Sequence, residues 1–358
     1  NAEADITGIS FEEDVLANSY IDLNPSYDES QNAYPIRISV KEGTDMTSLA
    51  PIFELPPGAT ISPASGSVQN FTTPVRYTVT SEDKAWHRVY AITAREQKAS
   101  NIPTTYHFEK VRIMQNVWQE FYEEQDSGNE LTWASGNKGF KWAMSEAATE
   151  DYPTTQIDNG KTGKCVKLET RLTGDLGNMV GMPIAAGNLF IGSFDMLNAI
   201  TNPLSATRFG TPFYNKPLRL TGYYKYKAGE QFYENGEYTS RKDIFNIYAI
   251  FYDGVKYDSA GKGTDVTLDG NLPNQNYEHS SMVALALVSN PQETEGDEWK
   301  FFDIPFDYQR YGKKIDEARL AKGEYKIGII FASSKDGATF EGAPGSTLLI
   351  DEVELIYE

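Results

Sequence analysis

Short runs in which hydrophobic and polar residues alternate dominate the first hundred positions. In residues 35–41 (PIRISVK) the three branched aliphatic side chains share one face, and residues 75–81 and 88–95 repeat this period of two. Such a period is typical of a β-strand with one buried face. Segments rich in proline, glycine and serine lie between the runs and end regular structure. The pattern predicts a small immunoglobulin-like β-sandwich over residues 1–98.

Longer strand patterns fill the rest of the chain. Residues 96–105 (EQKASNIPTT) lack periodicity and predict a domain boundary, with a second domain over residues 103–358. Eight runs with a strand pattern follow, separated by turn residues, and helical periodicity is scarce. They cover residues 165–170, 189–195, 218–227, 244–252, 281–288, 299–306, 325–333 and 347–357. This pattern predicts a larger β-jelly-roll sandwich, and the chain as a whole is predicted to be all-β.

Net charge narrows the classes of partner. The 358 residues include 32 Lys and Arg against 51 Asp and Glu, a formal net charge of −19. So acidic a chain repels phosphate backbones and anionic lipid surfaces, and nucleic acid is therefore not expected as a partner. No window approaches the roughly 20 consecutive apolar residues of a spanning helix. Membrane contact is expected only through a lipid anchor upstream of residue 1.

Aromatic side chains point to a carbohydrate ligand. Tyr, Phe and Trp make up 13% of the chain, and a flat ring can cover the C–H face of a sugar. Most rings are nevertheless expected in cores and cross-strand pairs. Residues 136–142 (GNKGFKW) and 219–227 (RLTGYYKYK) combine rings with polar side chains, as sugar-binding surfaces require. The predicted ligand-binding residues are Asn137, Trp142, Arg219, Tyr223, Tyr224 and Tyr226.

Two carboxylates are candidates for a metal site. In residues 347–357 (TLLIDEVELIY) Asp351 shares its parity with Leu349 and Val353, so it is predicted to point into the core, where its charge needs donors or a cation. Glu109 likewise shares its parity with Val111 and Ile113, so it is also predicted to point inward. The first and last strands of a sandwich often lie side by side, so we expect Glu109 and Asp351 to meet. They either hold a structural Ca²⁺ or each bind backbone N–H groups or an arginine.

Motifs for other chemistries are weak. A single cysteine, Cys165, and three scattered histidines do not make a zinc site, and the GKTGK of residues 160–164 lacks the spacing of a phosphate loop. Glycoside hydrolysis needs two carboxylates about 5–10 Å apart. Asp243, Asp253 and Glu230 lie near the ends of tyrosine-rich strands and are the candidates for such a pair, with no geometric reason to prefer them.

The second domain resembles the putative carbohydrate metabolism domain family over residues 106–357. The sequence blocks that carry the resemblance are TWASGN (132–137), KCVKLET (164–170), LFIG (189–192), RFGTPF (208–213), GYYKY (222–226), IPF (304–306), SSKDGA (333–338) and GSTLLIDEV (345–353). Residues 56–63 (PPGATISP) resemble the immunoglobulin-like modules that often precede this family. The resemblance implies a jelly roll carried by surface lipoproteins of glycan-foraging Gram-negative bacteria, at the cell surface or in the periplasm. It supplies no established active site.

A looser similarity is to jelly-roll carbohydrate-binding modules, which often pair an early Phe-Glu with a late Asp around a structural Ca²⁺. The matching residues are Phe108, Glu109 and Asp351, although the residues before Phe108 depart from the pattern of those modules. The expected function is non-catalytic, cell-surface binding of an oligosaccharide or polysaccharide as part of carbohydrate metabolism. Two alternatives stay open, a glycoside hydrolase or lyase with a carboxylate pair and a structural or adhesive protein that binds another protein.

Overall fold

Strands form most of the regular structure. The computed structural model describes residues 2–125 and 127–358, with 42% of residues in strands and 10% in helices. The strands are arranged in several sheets, which confirms the predicted all-β sandwich class. The chain divides into two compact units, of which the first ends at Ala99 and the second begins at Ser100, while Glu358 groups with the first.

The first unit is built on a four-stranded sheet with the order β2-β6-β5-β4 and a separate pair, β1-β3. Its strands are β1 (Gly8–Ser10), β2 (Tyr34–Lys41), β3 (Ile52–Glu54), β4 (Thr60–Ser62), β5 (Val75–Thr80) and β6 (His87–Gln97). The alternation in β2 decides which face is buried, since Ile36, Ile38 and Val40 lie in the core and Arg37 is exposed. Strands β2 and β6 pair in parallel, and the other pairs of this unit are antiparallel.

Many short strands and a few short helices make up the second unit. The strands are β7 (Thr105–Tyr106), β8 (Val111–Met114), β9 (Trp118–Glu124), β10 (Glu130–Thr132), β11 (Thr154–Asp158), β12 (Lys164–Glu169), β13 (Arg171–Leu172), β14 (Ile184–Ala185), β15 (Asn188–Phe190), β16 (Gly192–Phe194), β17 (Thr207–Phe209), β18 (Thr211–Pro212), β19 (Pro217–Lys227), β20 (Phe232–Glu234), β21 (Glu237–Thr239), β22 (Asn246–Asp253), β23 (Val255–Tyr257), β24 (Gly263–Asp265), β25 (Leu268–Asp269), β26 (Met282–Leu287), β27 (Lys300–Pro305), β28 (Tyr325–Ala332) and β29 (Thr347–Tyr357). The helices are α1 (Asn137–Ala143), α2 (Gly174–Met179), α3 (Met196–Thr201) and α4 (Glu317–Leu320), with 3₁₀ turns at Thr149–Asp151, Pro203–Ser205, Pro273–Gln275 and Gly337–Thr339.

Two sheets enclose the main core of this unit. The six-stranded sheet has the order β11-β12-β29-β19-β27 with β7 added beside β29, and the five-stranded sheet has the order β15-β28-β22-β26 with β18 added beside β28. Leu220 and Ile350 of the first sheet share one buried cluster with Ala249 and Ile329 of the second. The first and last strands of the unit pair directly, since Tyr106 of β7 lies opposite Val353 of β29. This adjacency agrees with the sequence-based expectation.

The outer face of the five-stranded sheet is covered rather than left in water. Phe190, Tyr248 and Ile330 lie in one row across β15, β28 and β22, on the side of the sheet opposite the main core. They belong to a second buried cluster, together with residues of β17 and of the segment that follows β25. The chain segments between the strands therefore form an extra layer over this face. Among the described residues, no helix has the length and hydrophobicity needed to cross a bilayer.

The orientation predicted for Asp351 is wrong because β29 contains a bulge. Leu348 and Ile350 face the core before the bulge, whereas Val353 and Leu355 face it afterwards. The change of parity occurs where β29 loses register with β19 and where the backbone of Glu352 has a φ of +48°. Asp351 is fully buried, but on the outer side of the sheet, where a loop covers it.

Candidate functional site

A pocket lies where α1, α2 and α3 meet the outer face of the five-stranded sheet. We call it the α1–α3 pocket. Its volume is about 180 Å³, and the row of Phe190, Tyr248 and Ile330 contributes to its wall. Phe140 of α1 and Phe194 of β16 add two further rings. The pocket therefore offers aromatic and aliphatic surface to a ligand.

Local hydrogen bonds fix the helices around this pocket. The amide of Asn137 is buried at the start of α1, where its Nδ2 donates to the Thr154 carbonyl (2.7 Å) and its Oδ1 accepts from the Thr154 N–H (3.1 Å). Asp195 caps α3 by accepting from the N–H groups of the second and third residues after it. Gly139 lacks a side chain where a Cβ would lie 3.2 Å from the Phe194 ring, which lets α1 approach β16 closely.

Of the residues predicted to bind a ligand, Trp142 lines this pocket with a ring that is open to solvent. Its side chain lines the pocket and is 38% exposed, on the last turn of α1. The polar lining consists of amide and hydroxyl side chains and Lys335, and the described lining residues include no Asp or Glu. The site thus combines an accessible ring with hydrogen-bonding groups, which is the composition that sugars require.

The other predicted ligand-binding residues lie elsewhere in the second unit. Tyr224 and Tyr226 are buried in the main core, with their ring centroids 4.8 and 4.9 Å from that of Phe245. Asn137 is buried below α1 and its amide is bonded to backbone. A surface ligand cannot reach these three side chains, because the alternation of β19 turns both tyrosines inward and Asn137 faces the strands below its helix.

Arg219 and Tyr223 occupy a second surface, the outer face of the six-stranded sheet. The Tyr223 ring packs against the exposed ring of Phe301 (centroids 5.2 Å apart), and Lys161 Nζ lies 4.9 Å from its centroid. Arg219 Nε donates to Asp303 at 2.6 Å. The structure does not bring these residues together with Trp142, so the six predicted residues fall into four locations.

Glu109 and Asp351 do meet at one loop, residues 160–164. Glu109, predicted to point inward, is instead exposed, because Phe108 takes the buried position beside it. Glu109 Oε1 accepts from the Lys164 N–H at 2.7 Å, and Asp351 accepts from the N–H groups of Thr162 (3.0 Å) and Glu352 (2.9 Å). Burial raises the pKa of Asp351 to about 6, although these backbone donors favour its charged form. Among the described residues, no group of three His, Cys, Asp or Glu side chains forms a ready metal site.

Glycine is required at this loop for steric reasons. A Cβ at Gly160 would lie 2.5 Å from the Lys164 carbonyl oxygen and 2.7 Å from Asp351 Oδ2, and a Cβ at Gly163 would collide with Glu109. The missing side chains therefore let both carboxylates and a backbone carbonyl come close to one loop. Carboxylate and carbonyl oxygens are the ligands that Ca²⁺ prefers.

The three acids considered for hydrolysis have separate surroundings. Asp243 is buried among hydroxyl and N–H donors, and burial raises its pKa against the effect of those donors. Asp253 forms a two-pronged ion pair with Arg319, at 2.7 and 2.6 Å. Glu230 is exposed. None of them lines the α1–α3 pocket.

Sequence reasoning missed most of the pocket. Its wall is assembled from the segments of α2, β16 and α3, which lie between the predicted strands and show neither a period of two nor a sustained helical period. The available signal was unusual hydrophobicity in these connecting segments, notably at Leu176, Met179, Leu197 and Ile200. Pairing that signal with the outer side chains of the five-stranded sheet required the tertiary structure.

Both units match known protein families. Residues 107–356 match the family described as putative carbohydrate metabolism domain. Residues 22–94 match the family described as SGBP, N-terminal, the N-terminal domain of surface glycan-binding proteins. A comparison with curated proteins found no match.

Two solved structures are similar to the chain. One is a putative glycoside hydrolase from Bacteroides vulgatus ATCC 8482, with 50% identity and a TM-score of 0.67, covering 73% of this chain and 100% of the other. The second is a putative glycoside hydrolase from Bacteroides thetaiotaomicron VPI-5482, with 45% identity and a TM-score of 0.65, covering 100% of this chain and 98% of the other. Since the family match spans most of the second unit and well over half of the chain, this protein belongs to the putative carbohydrate metabolism domain family.

Proposed function

We propose that the protein binds glycans at the cell surface and that the α1–α3 pocket is its binding site. The observation that carries the proposal is Trp142, an accessible indole at a ring-lined pocket whose polar lining consists of amides, hydroxyls and Lys335. A sugar at the mouth of the pocket would stack its C–H face on Trp142 and direct hydroxyls to Lys335, which is exposed there. Such stacking buries a large part of a ring at small cost in conformational entropy.

The first unit supports a surface location. Its match to the N-terminal domain of surface glycan-binding proteins fits a protein that presents its second unit to extracellular carbohydrate. Within this proposal, a lipid anchor upstream of residue 1 attaches the chain to the outer membrane of a Gram-negative bacterium, and the first unit serves as a spacer.

The proposal predicts that Trp142→Ala weakens glycan binding. A thermal-shift screen against plant and host polysaccharides first identifies a ligand, because binding to the folded state raises the midpoint. Calorimetric titration of that ligand should then show a dissociation constant at least tenfold higher for Trp142→Ala, about 1.4 kcal/mol of binding free energy. Trp86→Ala is the matched control, since Trp86 is 61% exposed and lies in the first unit.

Two results would contradict the proposal. A screen with no response from any glycan class would remove its basis. Equal affinity of Trp142→Ala and wild type would move the site elsewhere, and the face of Tyr223 and Phe301 would then be the next to mutate.

Glycoside hydrolysis is the second candidate function, favoured by the name of the two similar structures. Hydrolysis requires two carboxylates facing the scissile bond, whereas the described lining of the α1–α3 pocket holds none. The same glycan panel separates the two functions when reducing ends are measured after long incubation. Sugar release from a glycan that binds would favour hydrolysis, and its release by the Trp142→Ala protein would place the reaction at another surface.

We also propose that Glu109, Asp351 and carbonyls of the 160–164 loop hold a structural Ca²⁺. Their oxygens fit the ion, and a cation would balance the buried charge of Asp351, whose described hydrogen-bond donors are backbone N–H groups. The bound ion would tie the first strand of the unit to the last through this loop.

A chelator should therefore lower the thermal midpoint, and added Ca²⁺ should restore it. Asp351→Asn should remove this response, whereas Asp303→Asn on the same sheet should keep it. If the chelator leaves the wild-type thermal midpoint unchanged, the metal site is contradicted. Both carboxylates would then serve as anchors for backbone N–H groups.

A further inference from the structure

We infer that the α1–α3 pocket takes an apolar substituent carried by a sugar, attached either as an acyl ester or as an aryl aglycone. The inference rests on the proposed glycan-binding function and names the ligand class at the same site. The sugar itself would lie at the mouth of the pocket, on Trp142.

The size of the pocket favours a single ring or a short acyl chain. Its volume of about 180 Å³ is below the roughly 300 Å³ at which pockets for drug-sized ligands begin. An engineered apolar cavity of about 150 Å³ accepts benzene. The space inside the pocket is therefore large enough for a substituent and too small for an oligosaccharide.

The hydrogen-bonding capacity of the lining points the same way. Asn188 Oδ1 accepts from the Gly136 N–H at 2.7 Å, and Asn246 Nδ2 donates to the Tyr277 hydroxyl at 2.9 Å. The hydroxyls of Thr173 and Ser334 also bond within the protein. These four polar atoms are already engaged by protein partners. An unsubstituted sugar buried here would lose water from several hydroxyls without full replacement, which costs free energy.

The helices that wall the pocket also carry exposed apolar side chains. Helices α2 and α3 both contact α1, and each exposes large apolar side chains to solvent. Met179 of α2 is 82% exposed and Leu197 of α3 is 86% exposed, while Leu176 and Ile200 are partly exposed beside them. Ile200 itself lines the pocket, and exposed apolar groups on the helices that wall an apolar pocket favour a site that binds apolar matter. Lys335, exposed at the same pocket, remains available to the sugar.

The decisive experiment compares matched ligands that differ only in the substituent. The 4-nitrophenyl and methyl glycosides of glucose, galactose, xylose and mannose are titrated against the full chain, and O-acetylated xylan is compared with the same xylan after alkaline deacylation. The inference predicts that at least one substituted ligand binds tenfold or more tightly than its unsubstituted partner. The aryl and acyl arms distinguish an aglycone from an ester as the source of the apolar group.

Variants connect this preference to the pocket. Ala199→Phe fills the space from α3, and Ile200→Ser removes apolar surface from the rim at a partly exposed position where folding is little affected. Both should reduce the ratio of affinities toward one while the methyl glycoside still binds. Val68→Ser, an exposed apolar position in the first unit, should leave the ratio unchanged, and thermal midpoints confirm that every variant is folded.

The possible outcomes separate the inference from the function on which it rests. Equal binding of substituted and unsubstituted sugars, lost in Trp142→Ala, would overturn the inference and keep the glycan site. Binding of free 4-nitrophenol as tightly as its glycosides would overturn both, because the sugar would then contribute nothing. Failure of every sugar to bind would also overturn both.

Discussion

The buried carboxylate of Asp243 links three segments of the second unit. Its Oδ2 accepts from the Ser334 hydroxyl (2.5 Å), the Ser346 hydroxyl (2.7 Å) and the Ala343 N–H (2.7 Å). Ser334 also lines the α1–α3 pocket, so this acid supports the site without facing it. A residue considered for acid catalysis on sequence grounds is thus a structural anchor.

Replacing this carboxylate tests that role. Asp243→Ala leaves three buried donors without an acceptor, and we expect a loss of about 3 kcal/mol or more in the free energy of unfolding. Urea unfolding followed by tryptophan fluorescence measures it, with Glu295→Gln as the control for removing one exposed negative charge. A loss under about 1 kcal/mol would show that water or a rearranged loop replaces the carboxylate.

The pH dependence of stability gives an independent test of the same residue. Burial raises the pKa of Asp243 above its ordinary 3.8, so the folded state binds this proton more tightly than the unfolded state. The free energy of unfolding should therefore fall as pH rises from 3.8 through the folded-state pKa, and level off above it. This component should be missing from the stability-against-pH curve of Asp243→Asn, whereas the curve of Glu295→Gln should retain it.

At the scale of elements, period-two patterns predicted strands well and connecting segments poorly. Strand β22 begins two residues after the start of the predicted run 244–252 and ends one residue beyond it, and β28 and β29 match the predicted runs 325–333 and 347–357 closely. Strands β22 and β28 are apolar at almost every position because both faces of the five-stranded sheet are buried, one in the main core and one in the second cluster. The helices α1–α3 are only six or seven residues long, too short to display a helical period.

The bulge in β29 shows why local pattern cannot place a side chain by itself. Two residues of β29 oppose one of β19 near Gly222, and the parity of the strand changes at Glu352. Counting by twos therefore assigned Asp351 to the core face, although it lies beneath the loop of residues 160–164. The sequence does place Asp351 near Glu109, because pairing of the first and last strands does not depend on the bulge.

For the whole molecule, the two units have separate hydrophobic cores, and all residues that line the α1–α3 pocket belong to the second unit. Ser100 begins that unit and donates its N–H to the Tyr357 hydroxyl at 3.1 Å, so the natural place to divide the chain is after Ala99. Each unit therefore has what an independently folding domain needs, namely its own core and an ordered end.

A protein of residues 100–358 should fold cooperatively and bind the screened glycan with a dissociation constant within about threefold of that of the full chain. The affinity should change little because no ligand contact is removed, and the first unit would act by position at the cell surface rather than by binding sugar. Calorimetric titration measures the affinity, and Trp142→Ala in the shortened chain should again weaken binding at least tenfold. If the shortened chain melts cooperatively but binds far more weakly, the first unit contributes to recognition and the glycan site extends beyond the α1–α3 pocket.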